Sequence, residues 1–163
     1  MNIKTRLTCA AFGLALALSA PAANAQSAAR TPQEEANLHT VMEFYRTVFE
    51  PEIVANAKNY IGDDYIEHNP NAGQGLAGFT EMFGKRFKPK PIKATLEKRP
   101  DVVMVENDLV MLIFKMPRPD PADASKTYDL WWYDMFRVKN GRIIEHWDAA
   151  MKRPPGAPHP LGG

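Results

Sequence analysis

The sequence predicts an α+β domain in which helices pack on one face of a curved antiparallel sheet. Three observations carry this. Apolar residues recur at helical spacing only in the first half of the chain, as far as about Phe87. From Ile92 onward the apolar period changes to two. Asn140-Gly141 then sits between two such runs as a two-residue hairpin signal. Helices followed by a meander leave one apolar sheet face for the helices to cover.

The chain opens on a different kind of element. Lys4 and Arg6 precede an apolar stretch from Leu7 to about Ser19, followed by Pro21 and Ala23-Asn24-Ala25. This is the pattern of a cleavable export signal, with cleavage expected after Ala25. The apolar run is shorter than the roughly 20 residues a membrane span needs. Taking 25 residues from the 163-residue chain leaves 138, which suits one domain with a single core. The expected organisation is leader 1–25, domain 26–152 and an irregular tail 153–163 carrying four prolines and three glycines. The only cysteine, Cys9, leaves with the leader, so the mature protein has no disulfide or thiol chemistry. Without Lys4 and Arg6, 18 basic residues face 19 acidic ones, a net of −1 that points to neither nucleic acid nor an anionic membrane as partner. The expected compartment is periplasmic or extracellular.

Within the domain, Thr31-Pro32-Gln33-Glu34 reads as a helix start. Leu38, Val41, Met42, Tyr45, Val48 and Phe49 make one apolar face over 31–49. Pro51 starts a second short helix that Gly62-Asp63 ends. Residues 64–69 form a short extended piece stopped by Asn69-Pro70-Asn71. Leu76, Phe79, Met82 and Phe83 place a helix over 75–87. Strands follow over 92–105, interrupted near Pro100, then over 109–116, 127–138 and 142–150, with 117–125 as a loop rich in proline and aspartate.

Two stretches carry candidate chemistry. Tyr65-Ile66-Glu67-His68-Asn69-Pro70 puts a histidine, able to titrate near neutral pH, at a strand end beside a turn. Alternation gives Ile66 and His68 one face. In the second stretch, Trp132, Asp134, Phe136 and Val138 share a face. If that face lines a concave interior, the Asp134 carboxyl is poorly solvated and its pKa should rise, as befits a general base or acid. Counting outward from Asn140-Gly141 pairs Val138 with Ile143, Phe136 with Glu145 and Asp134 with Trp147. Glu145 and Trp147 then join the Asp134 face, while His146 and Asp148 fall with Tyr133, Met135 and Arg137. One bulge reverses this assignment, so the face of His146 and Asp148 stays open. This register splits His68, His146, Asp134 and Asp148 between two faces, and no compact ligand motif such as H-E-x-x-H is present, so no metal is expected.

Taken together, Tyr65-x-x-His68-Asn69-Pro70, Gly75-x-x-Gly78-Phe79 and Asp134-x-Phe136-Arg137-Val138-x-Asn140-Gly141-x-Ile143-x-Glu145-His146-Trp147-Asp148 resemble the SnoaL-like, polyketide cyclase-like branch of the nuclear transport factor 2-like superfamily. The resemblance spans about Gln33 to Ala150. It implies a cone, in which a strongly bent antiparallel sheet wraps a pocket closed by helices on its concave face. It also implies side-chain acid/base chemistry without cofactor or metal, and a homodimer through the outer sheet face. Asp134 and His68 match the family's acid/base aspartate and histidine, with Tyr45, Tyr65, Trp132, Phe136 and Trp147 expected around the substrate. Polyketide cyclases work in the cytoplasm beside their synthases, so an export signal points to another substrate. The expected activity is aldol-type cyclisation, dehydration or isomerisation (a lyase or isomerase) of a small apolar carbonyl compound. The alternative is a non-catalytic binding protein for a small hydrophobic ligand.

Overall fold

The computed structural model of the chain describes residues 29–154. The expected leader and the tail from Pro155 onward lie outside the described residues. Helix α1 (Pro32–Phe44) starts at a capping box. Thr31 Oγ1 accepts from the Glu34 amide at 3.2 Å, and Glu34 Oε2 accepts from the Thr31 amide at 2.8 Å. The other Glu34 oxygen accepts from the Asn107 amide, and buried Asn37 donates to the Asn107 carbonyl at 2.9 Å. These bonds tie α1 to a turn of the sheet. From Tyr45 to Phe49 the helix widens into a π turn, so the regular helix is shorter than its apolar pattern suggests.

The expected second helix is a 3₁₀ segment, Val54–Asn59. Strand β1 (Ile61–Glu67) begins at once and takes in Gly62-Asp63, expected as a helix end. Helix α2 (Gly75–Gly84) follows. Strand β2 covers only Val102–Glu106; residues 92–101, expected as strand, are irregular, and Pro89, Pro91 and Pro100 bracket them without amide donors. Strands β3 (Leu109–Pro119), β4 (Thr127–Lys139) and β5 (Arg142–Asp148) complete the sheet. At the β4–β5 turn Asn140 and Gly141 have φ of 52° and 71°, as a type I′ hairpin requires.

Among the described residues the sheet order is β1-β5-β4-β3-β2. Strands β2 to β5 pair antiparallel, but β1 lies parallel to β5, so the expected antiparallel sheet is mixed. The helices cover its inner face. Val110, Leu112 and Phe114 of β3, Trp132, Phe136 and Val138 of β4, and Ile143 of β5 are buried there, with Val41, Phe44 and Val48 of the first helical segment.

The counted β4–β5 register fails after its second pair. Val138 pairs with Ile143, but Arg137 then pairs with Glu145, Phe136 with His146 and Asp134 with Asp148. Ile144 is the extra residue of a bulge. On the other side of β5, β1 is irregular at the same level, between its pairs Ile61–Ile143 and Ile66–Glu145. A Cβ on Gly62 would stand 3.1 Å from the Ile144 side chain. His146 and Asp148 therefore join Asp134 on the inner face, and Glu145 and Trp147 move to the outer one.

Two glycines seat α2. Gly75 has φ +69°, and a Cβ on Gly78 would lie 2.0 Å from the Gly73 carbonyl carbon. The 69–74 loop thus rests directly on the helix backbone. Gly78→Ala is expected to lose about 3 kcal/mol, the upper end of an overpacking penalty, because backbone must move. Gly75→Ala, with open space around it, should lose only about 1–2 kcal/mol of backbone strain. Urea unfolding of both variants checks the order; equal losses would refute the packing argument.

Candidate active site

The inner face and the helices enclose a cavity of about 370 Å³. Its lining contains every phenylalanine among the described residues: Phe44, Phe49, Phe79, Phe83, Phe87, Phe114 and Phe136. Many of these rings meet edge to face, among them Phe44 and Phe49 at 5.1 Å and Phe49 and Phe83 at 5.2 Å. The π turn brings Tyr45 and Phe49 into the same wall, with the Tyr45 ring 5.4 Å from Phe114.

Polar groups from three strands gather on that face. Asp134 of β4 accepts three hydrogen bonds. The Tyr45 hydroxyl donates to Oδ2, Trp132 Nε1 donates to Oδ1 at 2.9 Å, and His146 Nε2 lies 3.3 Å from Oδ1. His146 Nδ1 faces Glu67 of β1, 2.9 Å from Oε1 and 3.1 Å from Oε2. Glu67 also accepts from the Tyr65 hydroxyl at 2.6 Å and the Asn69 amide at 2.8 Å. Asp148 accepts from Asn69 Nδ2 at 2.7 Å and from the Ala150 amide at 2.9 Å.

Burial alone would lower the His146 pKa. Hydrogen bonds to Asp134 and Glu67, and the charge of both, outweigh it and raise the pKa to about 10. His146 is then an imidazolium at neutral pH, donating through both nitrogens. Burial acts to raise the Glu67 carboxyl, but His146, Tyr65 and the Asn69 amide overcome it and hold the pKa below its ordinary value. Burial raises Asp148 despite its hydrogen bonds. Burial and the Asp134 charge put the Tyr45 phenol well above its ordinary value, and burial and Glu67 do the same for Tyr65, so both remain neutral donors.

Of the expected site residues, Asp134, Tyr45, Tyr65, Trp132 and Phe136 line the cavity together with the open cases His146 and Asp148. His68 and Trp147 do not. Alternation along β1 turns Tyr65 and Glu67 inward and Ile66 and His68 outward. The His68 ring stacks on Trp147, 4.6 Å between centroids with a 5° interplanar angle, and its Nε2 lies 3.3 Å from Glu145. The Arg137 guanidinium covers the Trp147 ring at 5.7 Å. The histidine that meets Asp134 is thus His146, not His68, the histidine of the Tyr65–Pro70 segment. Glu67 and Asn69 were not expected here. Glu67 was open to discovery, because it alternates onto the Tyr65 face.

Asp134, His146 and Asp148 bring one ligand-type atom each within 4.8 Å of one another, correcting the expectation that the sheet separates them. In this arrangement both His146 nitrogens face carboxylates, which makes the ring a donor and not a lone-pair ligand.

Because the imidazole has its raised pKa only in the folded state, its stabilisation is fully present below about pH 6.5 and is lost as pH rises towards about 10. Unfolding free energy should fall through that window by on the order of a few kcal/mol, and His146→Gln should abolish the fall. Urea titrations at several pH values test this; a wild-type curve flat across the window contradicts the ion network.

No curated protein sequence matches the chain significantly. A protein from Jannaschia sp. CCS1 assigned to the SnoaL-like polyketide cyclases shares the fold, with a TM-score of 0.52 at 19% identity over 74% of this chain and 90% of that one. So does a nuclear transport factor 2-like protein of unknown function from Mesorhizobium loti, with a TM-score of 0.51 at 14% identity over 76% of this chain and 98% of that one. The family model for the SnoaL-like domain matches residues 41–146, from the first helix to the histidine between the two carboxylates, and the chain belongs to that family.

Proposed function

We propose that this protein is an acid/base enzyme acting on a small, largely apolar carbonyl compound, with Asp134 and His146 as the reacting pair. The observation that carries this reading is the contact of a carboxylate with an imidazolium at the polar end of a phenylalanine-lined cavity. Asp134 removes a proton from the carbon next to the carbonyl. The electron pair moves onto the carbonyl oxygen, which takes a hydrogen bond or the proton from His146 Nε2. Return of the proton from Asp134 to another carbon isomerises the substrate, attack of the enol carbon on a second carbonyl whose oxygen takes that proton closes a ring, and departure of a neighbouring hydroxyl with that proton as water dehydrates it. At 3.3 Å the bond from Nε2 to Asp134 is long for its type, so a substrate oxygen competes for it readily. Asp148, whose carboxyl burial shifts upward, stands beside the pair. Polyketide cyclase is the assignment of the Jannaschia protein, which supports carbonyl chemistry as the class.

The phenylalanine wall would equally serve a protein that only holds a small hydrophobic ligand. Exchange of deuterium from solvent into the α-position of a panel of small aromatic and alicyclic ketones separates the two. An enzyme exchanges them and a binding protein does not. Asp134→Asn is expected to slow exchange by about 10²–10⁴-fold, His146→Gln by a similar order, and His68→Ala hardly at all. Wild-type exchange by the Asp134→Asn protein sinks the assignment.

The reading extends to compartment and assembly. The Lys4–Ala25 pattern supports export, and exposed Trp131 and Tyr133 on the outer sheet face support a homodimer through it. Native mass spectrometry of protein from the exported fraction is expected to give a dimer of chains beginning at Gln26. A full-length chain counts against export, and a monomer at micromolar concentration against the dimer.

A further inference from the structure

We propose that Glu67 is a positioning residue for the proposed reaction, clamping His146 through Nδ1 so that Nε2–H faces Asp134 and the substrate. This deepens the reading of Asp134 and His146 given above and rests on it. Glu67 is only 8% exposed and stands directly opposite His146 in the β1–β5 pairing. Both its oxygens lie within hydrogen-bond distance of Nδ1. It is itself fixed from every side. Tyr65 and the Asn69 amide each take one oxygen, and the Gln74 side chain accepts from the Glu67 amide at 3.0 Å and donates to the Glu67 carbonyl at 2.7 Å. A carboxylate held this way is aimed before any ligand arrives and needs no reorganisation in the reaction.

The chemistry follows from what each partner can offer. A carboxylate accepts only, so Nδ1 must carry hydrogen to meet Glu67. The Nε2 side meets a second acceptor, Asp134, so that nitrogen must carry hydrogen as well. A ring between two acceptors is an imidazolium, and burial makes the attraction strong. The charged and titratable groups around it are Glu67 and Tyr65 from β1, Asp134 from β4 with Tyr45 of the helical segment behind it, and Asp148 from β5 itself. Of these, only Glu67 and Asp134 contact the ring nitrogens, and Asp134 is the group that must be free to react. Glu67 keeps the ring charged and oriented while Asp134 turns to substrate.

A merely structural Glu67 would hold the 68–74 loop through Asn69 and do nothing to the ring. Glu67→Gln separates the roles. Glutamine keeps the volume and one acceptor oxygen but removes the negative charge beside Nδ1, so the imidazolium loses one of its two counter-charges and gives up its proton more readily. The readout is ¹⁵N NMR of the histidine rings in the unliganded protein, which needs no substrate. In the wild type both His146 nitrogens should be protonated at about pH 8, and in Glu67→Gln the ring should titrate at least about one pH unit lower. In the α-exchange assay the variant should lose on the order of 10–10² in kcat with KM nearly unchanged, and the alkaline limb of its pH profile should move to lower pH. Identical titration of His146 in both proteins overturns the proposal. So does a neutral His146 in the wild type at about pH 8, a result that stands even where the variant fails to fold. A shifted titration with no exchange activity in any protein upholds the clamp and removes instead the acid/base reading it was to serve.

Discussion

Between the pairs Val138–Ile143 and Arg137–Glu145, β5 uses one residue more than β4, and that residue, Ile144, decides what the cavity contains. Side chains alternate along a strand, so an extra residue exchanges the two faces for everything beyond it. Without the bulge the inner face would present Glu145 and Trp147 beside Asp134, and His146 would point outward. With it, His146 enters between Asp134 and Glu67, and Asp148 stands opposite Asp134. The irregular stretch of β1 at Gly62 to Tyr65 accommodates the bulge from the other side, and the parallel pairing then resumes at Ile66. Pairing of Glu67 with His146 is a consequence of that resumption.

Once these charges are inside, electrostatics dictates the rest of the site. A buried ion without partners costs several kcal/mol, and the cost is offset only when its hydrogen-bonding positions are filled. Asp134 is met by Tyr45, Trp132 and His146, Glu67 by His146, Tyr65 and a backbone amide, and Asp148 by Asn69 and a backbone amide. These donors come from the first helical segment, three strands, the 69–74 loop and the Ala150 amide just after β5. That is why the close seat of the loop on α2, where Gly78 meets Gly73, belongs to the chemistry as much as to the fold. The loop delivers Asn69, whose amide and side chain reach two different carboxylates.

The sheet and its helical cover were legible in the sequence because they rest on periodicity and on strong local signals. The Thr31 cap, the Asn140-Gly141 turn and the alternation through Trp132–Val138 all act within a few residues of chain. The part of the site on β4 was legible for the same reason: Asp134 on an otherwise apolar face is unusual whatever it pairs with. The bulge was not. Nothing in Arg142–Asp148 distinguishes a regular strand from one that skips at Ile144, and the irregular stretch that accompanies the skip lies in β1, some eighty residues earlier. His68 drew attention as the histidine of the Tyr65–Pro70 segment, yet alternation alone already placed it opposite Tyr65. Glu67 lay on the Tyr65 face and was passed over, since a glutamate in a strand reads as solvent-exposed until a buried cation is found beside it. The strand expected over 92–105 formed only from Val102, because the apolar residues before it alternate while Pro100, and Pro91 ahead of them, lack the amide donors of a ladder.

The cavity is strongly asymmetric, and the asymmetry constrains how any ligand lies in it. Its phenylalanine wall offers ring faces and edges, with the Arg86 and Lys98 cations lying over the Phe83 and Phe114 rings, so an apolar body suits that end. At the other end, Tyr45, Tyr65 and Trp132 each already donate to a carboxylate. The bond from His146 Nε2 to Asp134 is the longest in this network at 3.3 Å, while the bonds that hold Asp134 from Trp132 and Tyr45, and Glu67 from Tyr65, are shorter. In the proposed reaction a carbonyl oxygen gains most by taking the Nε2–H, which relieves Asp134 Oδ1 of one of its two donors and leaves it the bond from Trp132. Under the proposed reaction, binding and activation become one event, since the interaction that orients the substrate also loosens the hold on the base.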